Sequence, residues 1–180
     1  MPDLCVTDEN RPVKRWFALV VKQQREKAVA ETLRRLEIET FLPAVRLMRR
    51  WSDRMKTMDL PIFPGYVFCQ CGFDSRLAVL RTPGVSAFVS FGNGPATVPD
   101  EEIEAVRNIV NSGLPAADGP YVMAGERVRI VSGPLAGLEG ILHRERDVRR
   151  VVVNVEILRR SVSVEVERDA ISTAAANKVR

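Results

Sequence analysis

The first long apolar stretch of the chain, Trp16–Val21, is six consecutive hydrophobic residues with aromatic and β-branched members. Such a run predicts a strand buried on both faces, with Trp16, Ala18 and Val20 on one side and Phe17, Leu19 and Val21 on the other. The period then changes. Val29, Leu33 and Leu36 recur at four and three residues, and Glu31 stands four before Arg35, which predicts a helix. Extended chain is expected over Phe41–Met48, then a polar hairpin tip, then a return strand through Tyr66–Cys71. That return strand sets Tyr66, Phe68 and Gln70 on one face and Val67, Cys69 and Cys71 on the other. A short helix over Ser75–Arg81 ends at Thr82-Pro83-Gly84, Ser86–Phe91 is again strand-like, and Gly92-Asn-Gly-Pro95 is a turn. A last helix starts at Asp100 as N-cap, with Glu101, Glu102 and Glu104 near the positive end of its dipole. Ile103, Val106, Ile109 and Val110 form its apolar stripe, and Gly113 is placed to end it.

Residues 114–120, rich in Gly, Pro and small side chains, read as a linker between domains at 12–113 and 121–172, with 173–180 as a flexible tail. The second domain is nearly all strand. Val151, Val153, Val155 and Ile157 alternate with Val152, Asn154, Glu156 and Leu158; beyond Arg159-Arg160, Val162, Val164 and Val166 alternate with Ser163, Glu165 and Glu167. This is a hairpin with one buried face. Arg127–Val131 and Leu138–His143 add short strands around Gly133, Gly137 and Gly140, whose spacing suits turns needing a positive φ. The fold class expected is α+β: a mainly antiparallel sheet with packed helices, followed by a small β-barrel. Helices of this number and length cover one sheet face but hardly both. The remaining aromatic surface is either capped by the hairpin and loops or left open for a partner.

Composition narrows the classes. At 46% hydrophobic and 28% charged over 180 residues, the chain can build a packed core. No stretch approaches the roughly 18 uncharged apolar residues of a membrane span. The acidic, polar start MPDLCVTDEN is not expected to be a signal peptide. Three cysteines, Cys5, Cys69 and Cys71, are too few for a disulfide scaffold and point to reduced thiols in the cytoplasm. With one histidine, His143, neither a metal site nor a catalytic triad is expected, and His143 reads as a surface residue. No phosphate-binding loop occurs, and Glu101 and Glu102 are adjacent on a helix and point apart. The chain is not expected to be an enzyme or to need a cofactor. The net charge of +4 is too small for wrapping DNA, yet Arg46, Arg49, Arg50, Arg54 and Lys56 against Asp53 concentrate +4 within one hairpin. That hairpin is a solvated face or a nucleic-acid contact.

Five segments in order then resemble one family. Trp16-Phe-Ala-Leu19, Phe63-Pro-Gly-Tyr-Val-Phe68, Arg81-Thr-Pro-Gly-Val85 and Pro99-Asp-Glu-Glu-Ile103 are similar to the N-terminal (NGN) domain of the NusG family. Gly125-Glu-Arg-Val-Arg-Ile130 with Ser132-Gly-Pro-Leu-Ala-Gly-Leu-Glu-Gly140 is similar to the KOW motif of that family's C-terminal domain. The likeness spans about residues 14–172. It implies an NGN α/β sandwich followed by an SH3-like KOW β-barrel.

The resemblance further implies a monomeric, cytoplasmic transcription elongation factor. Its N-terminal domain would dock on the clamp helices of the largest RNA polymerase subunit, span the DNA cleft and suppress pausing. By motif position the polymerase-contact candidates are Phe63, then Tyr66 and Phe68, with Trp16 and the loop residues Arg81 and Thr82; Phe68 reads equally as interior. Family members that recognise a DNA element contact the non-template strand near the first helix. The matching positions are Lys22, Gln23, Arg25 and Lys27, and Arg49 and Arg50 of the basic hairpin could support upstream DNA. The barrel's partner candidates are Leu135, Leu138, Ile157, Leu158 and Arg160, toward a small-subunit ribosomal protein. Leucines and Arg159-Arg160 stand where housekeeping members carry phenylalanines and an Ile-Phe-Gly-Arg tip, which weighs against termination factor Rho. The barrel segments look more like the specialised RfaH-like and UpxY-like antiterminators of selected operons. A general elongation factor, or a KOW-type RNA- or ribosome-binding module, are the alternatives.

Overall fold

The computed structural model describes residues 13–51, 54–92, 94–145 and 148–173; Cys5, Asp53 and the tail from Ala174 lie outside them. The chain runs β1 (Arg15–Val21), α1 (Glu26–Arg35), β2 (Glu39–Phe41), β3 (Ala44–Trp51), β4 (Arg54–Pro61), β5 (Tyr66–Cys71), α2 (Arg76–Leu80) and β6 (Val85–Phe88). Short strands β7 (Ser90–Phe91), β8 (Gly94–Pro95) and β9 (Thr97–Val98) lead into α3 (Asp100–Asn111). The central sheet is antiparallel in the order β2-β5-β1-β6, with β9 sharing the β6 edge of β1. β1 sits in its middle because both its faces are apolar. α1 and α2 lay Val29, Ala30, Leu33 and Val79 over Phe17, Leu19, Val67 and Cys69. α3 lays Ile103, Val106 and Ile109 over Trp16, Ala18 and Phe68 on the opposite side. Helices thus cover both faces. The 12 residues of α3 reach only part of theirs.

Local chemistry sets the helix ends. Gln24 turns left-handed at φ 63 and the Arg25 amide donates to the Lys22 carbonyl at 3.1 Å, which starts α1. At its other end Glu37 takes φ 57 while the Ile38 and Glu37 amides close onto Leu33 and Arg34 carbonyls, and buried Ile38 packs back. α3 is capped by Pro99 rather than Asp100, which is its first helical residue, and Gly113 follows its end at φ 69.

β10 (Ala116–Pro120), β11 (Glu126–Ile130), β12 (Glu139–Glu145), β13 (Val148–Val155), β14 (Arg160–Glu165) and β15 (Ile171–Thr173) form the second sheet, in the order β10-β14-β13-β12-β11-β15. Val128, Ile130, Val151, Val153, Val155, Val162 and Val164 fill its interior. The stretch read as a linker is therefore mostly an edge strand. Ala116–Pro120 pairs by backbone with β14, Pro120 lies at its end, and Gly119 lets Ser161 approach. Gly133 and Gly137 do take positive φ, at 81° and 94°. Gly140 does not; a Cβ there would meet Val151 Cγ1 at 2.5 Å and the Val152 carbonyl at 2.7 Å, so contact requires the glycine.

Candidate interaction surface

Across β5, β1 and β6, paired residues share a face. Trp16 opposes Gln70, Ala18 opposes Phe68, and Val20 opposes Tyr66 on one side and Ala87 on the other. The Trp16–Phe68 end of this face is closed. Phe68 stacks with Phe41 at 6.2 Å and meets Phe63 edge-on at 6.1 Å, and Phe63 and Phe68 are each 1% exposed. Arg107 of α3 locks the edge: its guanidinium lies 5.7 Å from the Trp16 ring and 5.3 Å from Phe41, and pairs with Glu104 at 3.0 Å and Glu39 at 3.5 Å. The other end of the face is open. Val20 is 37% exposed, Ala87 is exposed and Tyr66 is half-buried.

Three loops converge beside that open row. The Val21 amide donates to the Gly65 carbonyl at 2.9 Å, and the Gly65 amide donates to the Glu26 carboxylate at 2.9 Å. The Lys22 amide donates to the Gly84 carbonyl at 2.9 Å. Gly84 has φ 100, and a Cβ there would lie 2.9 Å from Val29 Cγ2. The Phe63–Tyr66 turn, the Lys22–Lys27 loop and the Arg81–Val85 loop thus form one rim. Lys22, Gln23, Arg25 and Lys27 are exposed on it, as is Arg81. Thr82 is buried, and its hydroxyl donates to the Ala78 carbonyl at 3.1 Å, closing α2. Arg49 and Arg50 lie elsewhere, on the separate β3–β4 arm opposite Lys56 and Met55.

In the barrel, Leu135, Leu138, Ile157 and Leu158 are all buried. Leu135 and Leu138 sit in a loop closed by the Gly137 amide on the Ile130 carbonyl at 2.7 Å. Ile157 and Leu158 occupy a single 3-10 turn, Glu156–Leu158, ended by Arg159 at φ 51, whose guanidinium lies 5.2 Å from the Tyr121 ring. Arg160 pairs with Asp118 across the β10–β14 edge. This end of the barrel rests on the first domain. The Glu156 amide donates to the Glu102 carboxylate of α3 at 3.1 Å, and Ile157 shares a cleft with Phe91, Ala96, Thr97 and Pro99. Burial pushes the Glu102 carboxyl above its ordinary range, partly offset by the Glu156 amide. Beside this contact an interdomain groove of about 810 Å³ has Glu101, Glu104 and Asn108 on one wall and Tyr121, Arg127 and Arg129 on the other.

A sandwich of this topology followed by a Gly-rich barrel has relatives. A family model described as transcription termination factor NusG matches residues 14–107. The chain belongs to the NusG family. Similar curated proteins are the transcription termination/antitermination proteins NusG of Pseudomonas aeruginosa, 27% identical over 86% of this chain and 95% of that one, and of Escherichia coli K12, 26% identical over 87% and 94%. A solved structure described as domain interaction in Thermotoga maritima NusG matches with a TM-score of 0.50 at 23% identity, over 89% of this chain and 97% of that one, a likeness of fold.

As a NusG-family transcription factor, the chain carries its family motifs in two ways. Of the residues singled out for polymerase, Trp16, Phe63, Phe68 and Thr82 are inside, Tyr66 is at the boundary and Arg81 is outside. Sequence reasoning missed Val20, Ala87 and Glu26. Val20 was legible, since alternation already put it on the Trp16 face. Cys69 and Cys71 are free thiols buried in the cluster under α1, and a hydrogen bond between them, together with burial, pushes the Cys69 thiol up. Among the described residues no group of three or more His, Cys, Asp or Glu is placed to hold a metal, and no helix is long and apolar enough to cross a membrane.

Proposed function

We propose that this NusG-family protein binds RNA polymerase at the clamp helices of the largest subunit through the open end of its sheet, the row Tyr66–Val20–Ala87 with the Phe63–Tyr66 turn. The domain then bridges the DNA cleft, with Arg81 toward its far side and Lys22, Gln23, Arg25 and Lys27 toward the non-template strand. Bridging favours the closed polymerase and suppresses pausing, a shift of a conformational equilibrium with no chemistry of its own. The factor acts in the cytoplasm as a specialised antiterminator of selected operons. The observation that supports this most is the row Tyr66–Val20–Ala87, the open end of a sheet face whose other end lies under α3, adjoining a loop that carries exposed Lys22, Gln23, Arg25 and Lys27. Phosphate contacts from that loop supply affinity and salt dependence without sequence reading.

The test is binding of the full chain to purified core RNA polymerase beside Tyr66→Ala. Removing an anchor of this kind is expected to weaken binding by about 1–3 kcal/mol while the protein stays folded. Saturable binding unaffected by Tyr66→Ala would move the site away from the row. Because Phe63 is interior, Phe63→Ala reports on packing and is a poor probe of contact.

A second reading, a general elongation factor recruiting Rho or ribosomes through the barrel, is favoured by the near full-length match to proteins named for termination and antitermination. Polymerase occupancy across the genome separates the two: a few operons for the specialist, most transcribed genes for the generalist.

A further inference from the structure

Glu26 is 6% exposed, in the first turn of α1, and its carboxylate accepts the Gly65 amide at 2.9 Å from a segment 39 residues away. The same glycine's carbonyl accepts the Val21 amide at 2.9 Å. The Phe63–Tyr66 turn is therefore fixed through both polar backbone groups of Gly65, one tied to the end of β1 and the other to the start of α1. A buried carboxylate is an expensive way to hold a turn, because desolvating the charge opposes folding. Its position gives it a different use. The residues flanking it, Lys22, Gln23, Arg25 and Lys27, are exposed and are the ones proposed above to face a nucleic-acid strand, and the Lys22 amide donates to the Gly84 carbonyl of the next loop. A strand held on this loop restrains the first turn of α1 further, and the Glu26–Gly65 bond passes that restraint to the turn that bears Tyr66. A second ligand arriving at an already ordered turn loses less conformational freedom, so the two events reinforce one another reciprocally.

Resting on the function proposed above, we propose that Glu26 is a positioning residue that couples nucleic-acid contact at Lys22–Lys27 to polymerase contact at Tyr66. The probes are a clamp-helix fragment of the polymerase largest subunit and a short single-stranded DNA oligonucleotide, used with the full chain. For wild type, the oligonucleotide is expected to raise affinity for the fragment about fivefold or more, with the same factor in reverse. Glu26→Ala is expected to bring that factor to unity. Glu26→Gln, whose side-chain carbonyl still accepts the Gly65 amide, is expected to keep it. A Glu26→Ala protein that binds both ligands more weakly with the factor unchanged would mark Glu26 as structural and overturn the inference. Should Glu26→Ala fail to fold, hydrogen exchange at the Gly65 amide of wild type decides: slowing on oligonucleotide binding supports the coupling, and no change overturns it. Wild type that binds the fragment with a factor of one overturns the inference alone. Wild type that does not bind the fragment overturns the clamp-helix reading as well.

Discussion

The two ends of one sheet face meet different fates although the same strands build both. At one end Trp16, Phe68 and Phe41 pack with α3, and Arg107 lies over the Trp16 and Phe41 rings; at the other Val20 and Ala87 are exposed and Tyr66 is half-buried. The more hydrophobic end is the closed one. Aromatic content therefore marks where a helix settled, and the open row is what that helix was too short to reach. Tyr66 fits the boundary, with a ring that packs and a hydroxyl that tolerates water.

The strongest way to break this contrast is Phe68→Ala. With a fully enclosed ring removed, unfolding in urea is expected to show a loss of about 3–5 kcal/mol, and any loss of binding should track the unfolded fraction. A near-normal unfolding curve would mean the closed end is not closed. At the open end, Val20→Glu is expected to leave stability within about 0.5 kcal/mol of wild type while weakening polymerase binding at least about tenfold, or 1.4 kcal/mol. Equal losses in stability and binding would erase the distinction. Between the two stands Arg107→Met, which keeps the aliphatic stem but removes the charge over both rings. A loss of about 1 kcal/mol is expected, with a red shift of tryptophan emission as the edge of α3 loosens over Trp16.

The smallest effect belongs to Glu102, where the barrel meets α3. Its folded-state pKa is raised by burial, so its protonated form is favoured by folding. The resulting stabilisation is present at low pH and is lost as pH rises through the folded-state value. Melting temperature is accordingly expected to gain slightly as pH falls from neutral toward the carboxylate range. Glu102→Gln should flatten that slope relative to wild type; an identical slope in both would remove Glu102 from the titration.

Much of this was legible in the residues. WFALVV announced a central strand, and the stripe Ile103–Val106–Ile109 announced a helix with one buried side. The stripe did not say which sheet face it would cover, because an apolar side fits any apolar surface of matching length. Residues 116–120 gave no strand signal, since AADGP joins its sheet through backbone groups and has no alternation to read. Val20 and Ala87 were hidden by their plainness beside phenylalanines. Glu26 read as an ordinary acidic residue in a first helical turn, and its bond to a glycine 39 residues on is a product of the tertiary fold.

The edge strand β10 also sets how far the barrel can travel. With β10 in place only Leu114 and Pro115 separate Gly113, just past α3, from the barrel's first paired residue, Ala116. If β10 peels from β14, residues 114–120 become a leash of about 25 Å at full extension, at roughly 3.3–3.6 Å per residue. On so short a tether the barrel meets α3 at an effective concentration in the millimolar range. A soluble ligand for the Ile157 tip must outcompete the chain's own first domain at that concentration, so its apparent affinity measures the tether as much as the contact.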